Sequence, residues 1–173
     1  MGKRGKMFHF NFEGLDAYID ELGDLGESSV GMAKRALYDG VAVVVDVIEK
    51  AVEDLPYHPT MGISHEQKQG LRDGLGLSRM KPGKKRGSYY VKIGWSGNNS
   101  VHTKEHPGGQ PNAMIAAAVN SGTSVQSKYP YPARKPTRFI TKAVRKARQR
   151  SYDAMRNRFD EDLKSLKQKH EKR

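Results

Sequence analysis

Two stretches with a helical hydrophobic period, residues 30–55 and 137–166, bracket a middle section whose clearest pattern has period two. In the first stretch Val30, Ala33, Leu37, Val41, Val44, Val45, Ile48 and Val52 fall on one stripe. The valines at 41–47 would also suit a buried strand, but the stripe continues on both sides of them, and length decides for a helix. Gly40 lies inside it at a cost of ~1 kcal/mol relative to Ala. Ser28 or Ser29 is placed to cap its start, and Leu55-Pro56-Tyr57-His58-Pro59 ends it. In the second stretch Thr137 is the cap. Ile140, Val144, Ala147, Ser151, Met155, Phe159, Leu163 and Leu166 mark a narrow stripe, which Phe139 and Ala143 widen at its start. Lys142, Arg145, Lys146, Arg148, Arg150, Arg156 and Arg158 lie on the other face.

Between these stretches, residues 60–112 read as short strands and loops. Tyr89, Val91, Ile93 and Trp95 alternate within 88–95, the clearest strand, and 75–80 is placed to pair with it as an antiparallel hairpin around a Lys81–Gly87 turn. The alternation sends Trp95 inward, toward the helical stripe near Val44 and Ile48. Residues 96–112 form a long loop, expected to be mobile. Residues 113–119 suit either a strand or a helical turn. Ahead of the first long helix, Phe8, Phe10 and Phe12 alternate like a strand, and Leu15, Tyr18, Ile19 and Leu22 mark a short helix over 13–25. Residues 1–6 are expected to be disordered and 167–173 to fray, leaving one domain over 7–166.

Charge is unevenly distributed. The net charge is +12, but residues 8–55 hold 11 acids against 3 bases, while 134–173 hold 15 bases against 5 acids. A basic half can meet nucleic acid, or the two halves can attract each other, within a chain or between copies. Asp46 and Glu49 on the acidic side, with Lys142, Arg145, Arg148 and Arg156 on the basic side, are the candidate subunit-interface residues. Lys81, Lys84, Lys85 and Arg86, within a run of five bases over 79–86, are candidates for contact with phosphate or with a neighbour.

Enzymatic readings find little footing. There are no cysteines, so thiolate ligands and nucleophiles are excluded. His102-Thr103-Lys104-Glu105-His106 matches H-x-x-E-H, but Pro107 and the flanking glycines oppose the helix that would converge both histidines on a metal. The glycines at 70, 74 and 76 lack a Walker or dinucleotide pattern. Asp16, Asp20 and Asp24 stack on one helical face, which suits a solvated or partner-facing surface better than an acid–base pair. No apolar run approaches the ~20 residues of a membrane span. No catalytic residue, metal or cofactor is expected.

The order of these elements resembles the tail-completion, or head–tail joining, family of long-tailed bacteriophages, which includes relatives of the lambda minor tail protein Z. Five places carry the resemblance. They are Phe8-His9-Phe10-Asn11-Phe12-Glu13-Gly14-Leu15, the long helix over 30–55, Gly70-Leu71-Arg72-Asp73-Gly74-Leu75, Val91-Lys92-Ile93-Gly94-Trp95, and the pair Val119-Asn120-Ser121-Gly122-Thr123-Ser124 with Pro136-Thr137-Arg138-Phe139-Ile140. Asn120 stands where the family pattern commonly has Glu, and Thr137-Arg138 separates Pro136 from Phe139. The resemblance implies an α+β fold, with a small antiparallel sheet packed against a long central helix and a long basic C-terminal helix. It also implies a structural virion protein, made in the host cytoplasm and forming a ring, usually of six copies, in the phage neck. Its partners would be a head connector or stopper protein on one side and a tail terminator or tail tube protein on the other, with a passing contact with genomic DNA. The alternative reading is a small basic nucleic-acid-binding protein, and a weaker third is a metallohydrolase using His102 and His106.

Overall fold

The computed structural model describes residues 8–11, 27–57, 63–84, 88–123 and 135–171. The expected helix over 13–25 with its aspartates, Lys85 and Arg86 of the basic run, and residues 1–7 and 172–173 lie outside the described residues, while the C-terminal helix runs on to Glu171, into the segment 167–173 expected to fray. The described elements are β1 (Phe8–Asn11), α1 (Glu27–Glu53), α2 (His65–Asp73), β2 (Leu75–Leu77), β3 (Lys81–Pro82), β4 (Tyr89–Trp95), α3 (Asn112–Ser121) and α4 (Phe139–Glu171). The fold is α+β, a small sheet packed against helices. Among the described residues no helix is long and apolar enough to cross a membrane.

Strand β4 is the centre of the sheet, with β1 on one side and β2 on the other. The expected hairpin forms, but its first arm is broken. Leu75, Gly76 and Leu77 pair with Trp95, Gly94 and Ile93, whereas Lys81 and Pro82 pair with Tyr90 and Tyr89. The three residues 78–80 therefore face only the two residues 91–92, a bulge that splits the continuous strand expected over 75–80 into β2 and β3.

By backbone contacts the chain divides into two compact units. The first takes residues 46–77 and 93–146. Its core includes Ile48, Val52, Leu71, Ile93, Ile115 and Phe139. It also contains a helix that corrects the expectation of only strands and loops over 60–112. Ser64 accepts from the Gln67 N–H, while the Gln67 side chain accepts from the Ser64 N–H, a reciprocal cap that starts α2. One buried leucine and Gly70 leave too faint an apolar period to announce this helix. At its end the Trp95 indole N–H donates to the orphan carbonyl of Leu71 at 2.8 Å, and the Trp95 ring meets Phe139 edge-on at 6.1 Å. Trp95 is thus half-buried, held by the Leu71 carbonyl and the Phe139 ring. Residues 113–119 belong to a helix, α3, which packs on α2.

The second unit takes residues 9–45, 78–92 and 147–173. Here α1 and α4 lie together, with Met32, Ala36 and Phe159 clustered and Leu163 and Leu166 packed on them. The buried positions Ala147, Ser151, Met155 and Phe159 step by four. Each step overshoots a helical turn by about 40°, so the buried stripe winds around α4. Ser151 Oγ donates to the Gly40 carbonyl at 2.7 Å. The Tyr38 hydroxyl donates to Ser78 O and accepts from Met80 N–H, satisfying two backbone groups of the bulge. Two smaller corrections concern α1. It begins at Glu27, so Ser28 and Ser29 lie inside its first turn instead of capping it, and Val30 is exposed.

Candidate functional site

In the first unit Asp46 and Glu49 are exposed on α1, and neither pairs with a described base. Lys142 and Arg145 are exposed on the opening turns of α4 and pair with no described carboxylate. In the second unit Arg148 lies over the Tyr152 ring at 5.7 Å, and Arg156 reaches Asp160 at 3.9 Å along its own helix. Lys81 is exposed in β3 and Lys84 is exposed beyond it.

Sequence reasoning missed the ion pairs that do join α1 to α4. Arg35 Nε meets Asp162 Oδ2 at 2.9 Å, and Arg158 lies 3.7 Å from both Asp39 and Asp162. Asp162 is the least exposed member, at 14%, so this cluster is screened less than the open pairs. The i,i+4 spacing of Arg158 and Asp162 was the available signal, but nothing in the chain order tells which turn of α1 lies opposite.

A groove of about 800 Å³ in the first unit runs between α2 and the segment 96–100. Gly70, Gly74 and Asn112 form part of its lining, with Glu66, Lys68 and Arg72 along it. The glycines have a packing reason. A Cβ on Gly70 would come within 2.4 Å of Asn112 Oδ1, and one on Gly74 within 2.5 Å of the Ser96 carbonyl. Asn112 Nδ2 donates to that carbonyl at 2.9 Å, while its Oδ1 and Asn99 Nδ2 are buried with no partner. Gln67 Nε2 donates to Gln110 Oε1 at 2.6 Å, tying α2 to the far end of the same loop. Lys68 Nζ donates to the carbonyls of Glu53 and Leu55, closing the end of α1. Glu66 is held below the usual carboxylate range, first by its own backbone N–H and then by the Ser64 hydroxyl. The lining is thus carboxamide, glycine and mixed charge, an arrangement that fixes α2 to its neighbours.

His102 and His106 lie in a loop. His102 Nδ1 is 2.6 Å from the Pro107 carbonyl, and Thr103 and His106 exchange backbone hydrogen bonds. Among the described residues no group of three or more His, Asp or Glu is placed to hold a metal.

No family model, no curated protein and no solved structure matches the chain.

Proposed function

We propose that this is a structural protein of a bacteriophage virion, forming a ring in the neck that joins the head connector or stopper to the tail terminator or tail tube. The observation that carries this reading is where the resembling segments meet. Three of the five places, distant in sequence, meet through residues of the first unit. Leu71 receives the Trp95 indole N–H, and Ser96 N–H, directly after Val91-Lys92-Ile93-Gly94-Trp95, donates to Gly74 O. Trp95 meets Phe139, and Asn120 Oδ1 accepts from the Ile140 N–H at 3.1 Å. The motifs therefore act as joints of one scaffold, which is what a family defined by architecture and not by chemistry would share.

A ring needs a heterologous contact, one patch against a different patch on the next copy. The acidic and basic helical surfaces suit that. The second reading, a nucleic-acid-binding protein, draws on the same bases, since no acid occurs between Glu105 and Asp153. The discriminating experiment is removal of the gene from the phage that carries it. Full heads and finished tails should accumulate separately in the lysate and join when the purified protein is added. Normally tailed particles lacking the protein would overturn the reading, and the nucleic-acid alternative would take its place.

A further inference from the structure

Two exposed stripes of the first unit carry charge of the sign that their own helices disfavour. Asp46, Glu49 and Glu53 share one face over the last two turns of α1, and Glu53 stands in the final turn, where the helix dipole is negative and Lys50 is the base. Lys142 and Arg145 share one face at the N-terminal end of α4, with exposed Arg138 directly before its first residue, where the dipole is positive and the first turn has no acid. The Lys142 N–H bonds the Arg138 carbonyl at 2.9 Å, so the Arg138 carbonyl opens the helical ladder from just outside α4, where its φ is 55°. None of the six pairs with another within the chain. Glu53 has a 3.8 Å pair with Arg72, but both side chains are more than half exposed, at 55% and 53%, so that pair exchanges readily.

The spacings also match. The acids step by three and then four residues along α1, and the bases step by three and then four when α4 is read backwards from Arg145. An antiparallel approach thus sets Asp46 opposite Arg145, Glu49 opposite Lys142 and Glu53 opposite Arg138. It also lays the negative end of one dipole against the positive end of the other. We infer that the acidic stripe of α1 docks on the basic stripe of α4 in a second copy of this chain. Nucleic acid would neutralise the bases and leave the acids as they are; a second copy answers both. Each copy gives one stripe and receives the other, so the contact propagates around a ring. The inference deepens the ring reading by naming its contact. Exposed ion pairs set orientation and register more than affinity, so the contact is salt-sensitive.

The test reverses the stripes separately in the full chain. One variant carries Asp46→Lys with Glu49→Lys, the other Lys142→Glu with Arg145→Glu. Helical circular dichroism and Trp95 fluorescence confirm folding of each. Sedimentation at about 50 mM salt should show wild type associated, each variant alone weakened about tenfold or more, and an equimolar mixture of the two restored. Variants that associate like wild type, a mixture that stays dissociated, or a wild type that stays monomeric would each overturn the contact. Loss of duplex-DNA binding at physiological salt in the Lys142→Glu/Arg145→Glu chain, with wild type monomeric, would make the stripe a phosphate surface instead. The neck reading fails separately: wild type would form rings yet leave heads and tails unjoined. If the reversed variants still joined heads to tails, only the contact would fail.

Discussion

The hydroxyl of Ser151 donates a buried 2.7 Å hydrogen bond to the carbonyl oxygen of Gly40, 111 residues earlier in the chain. The bond ties α4 directly to the backbone of α1, and Gly40 leaves the room for it. A Cβ there would lie 2.2 Å from Met155 Cγ and 2.8 Å from its Sδ. The glycine that weakens α1 as an isolated helix is what lets α4 pack on it.

Gly40→Ala should therefore destabilise the protein despite the better helix propensity of alanine. Overpacking costs typically ~1–3 kcal/mol and propensity returns ~1 kcal/mol, for a net loss of up to about 2 kcal/mol in chemical denaturation. In a Met155→Ala background, itself less stable, the same substitution should cost nothing or stabilise. Equal costs in both backgrounds would show that the two side chains do not share that space.

Trp95 is the chain's single tryptophan, so its fluorescence reports on the first unit alone. Trp95→Phe keeps an aromatic edge for Phe139 but strands the Leu71 carbonyl, for a loss of about 1–2 kcal/mol followed by circular dichroism. Trp95→Ala should cost about 2–4 kcal/mol, since the ring is half-buried. Iodide should quench the native protein partially, between the limits set by free indole and a sealed core.

How much of the fold is legible in the residues follows from how local each signal is. Both long helices and β4 were legible because their apolar periods run for many turns or residues, and Val91 and Ile93 lie on the buried face the alternation predicts. Helix α2 was not, although Ser64-His65-Glu66-Gln67 has the capping-box spacing, because one leucine gives no period. The Ser78–Met80 bulge depends on Tyr38, forty residues away, and such a partner leaves no local trace. The same limit applies to the charges. Composition showed acidic and basic halves, yet Arg35 and Asp162, each the minority sign in its own half, form the shortest ion pair between α1 and α4 among the described residues.

Glu66 supplies a pH dependence of known sign. Its folded-state pKa lies below the ordinary value of 4.5, first because its own N–H and then because the Ser64 hydroxyl favours the carboxylate. A depressed carboxyl contributes stability that is complete above its unfolded value and is lost as pH falls through the folded one. Glu66→Gln removes that contribution. Between about pH 6 and about pH 3, the melting temperature of the variant should fall less than that of wild type. A steeper fall in the variant would contradict the assignment.

Asn120 provides the last test, at the joint between α3 and α4. Its Oδ1 accepts from the Ile140 N–H, one of the orphan donors at the start of α4, and its backbone carbonyl accepts from Arg138. Thr137 completes the joint, its hydroxyl bonding the Val119 carbonyl at 2.8 Å. The side chain is thus a cap supplied by a neighbouring helix, and Asn120→Ala should cost ~1 kcal/mol, the ordinary value for losing a capping acceptor. Asn120→Asp keeps the acceptor and places a negative charge at the positive end of α4, among Arg138 and Lys142, so it should equal or exceed wild type, most clearly at low salt. Amide exchange at Ile140 reads the cap directly: protection should fall in the alanine variant and hold in the aspartate one. If both variants lost protection equally, the amide N–H of Asn120 and not its oxygen would be the group that matters.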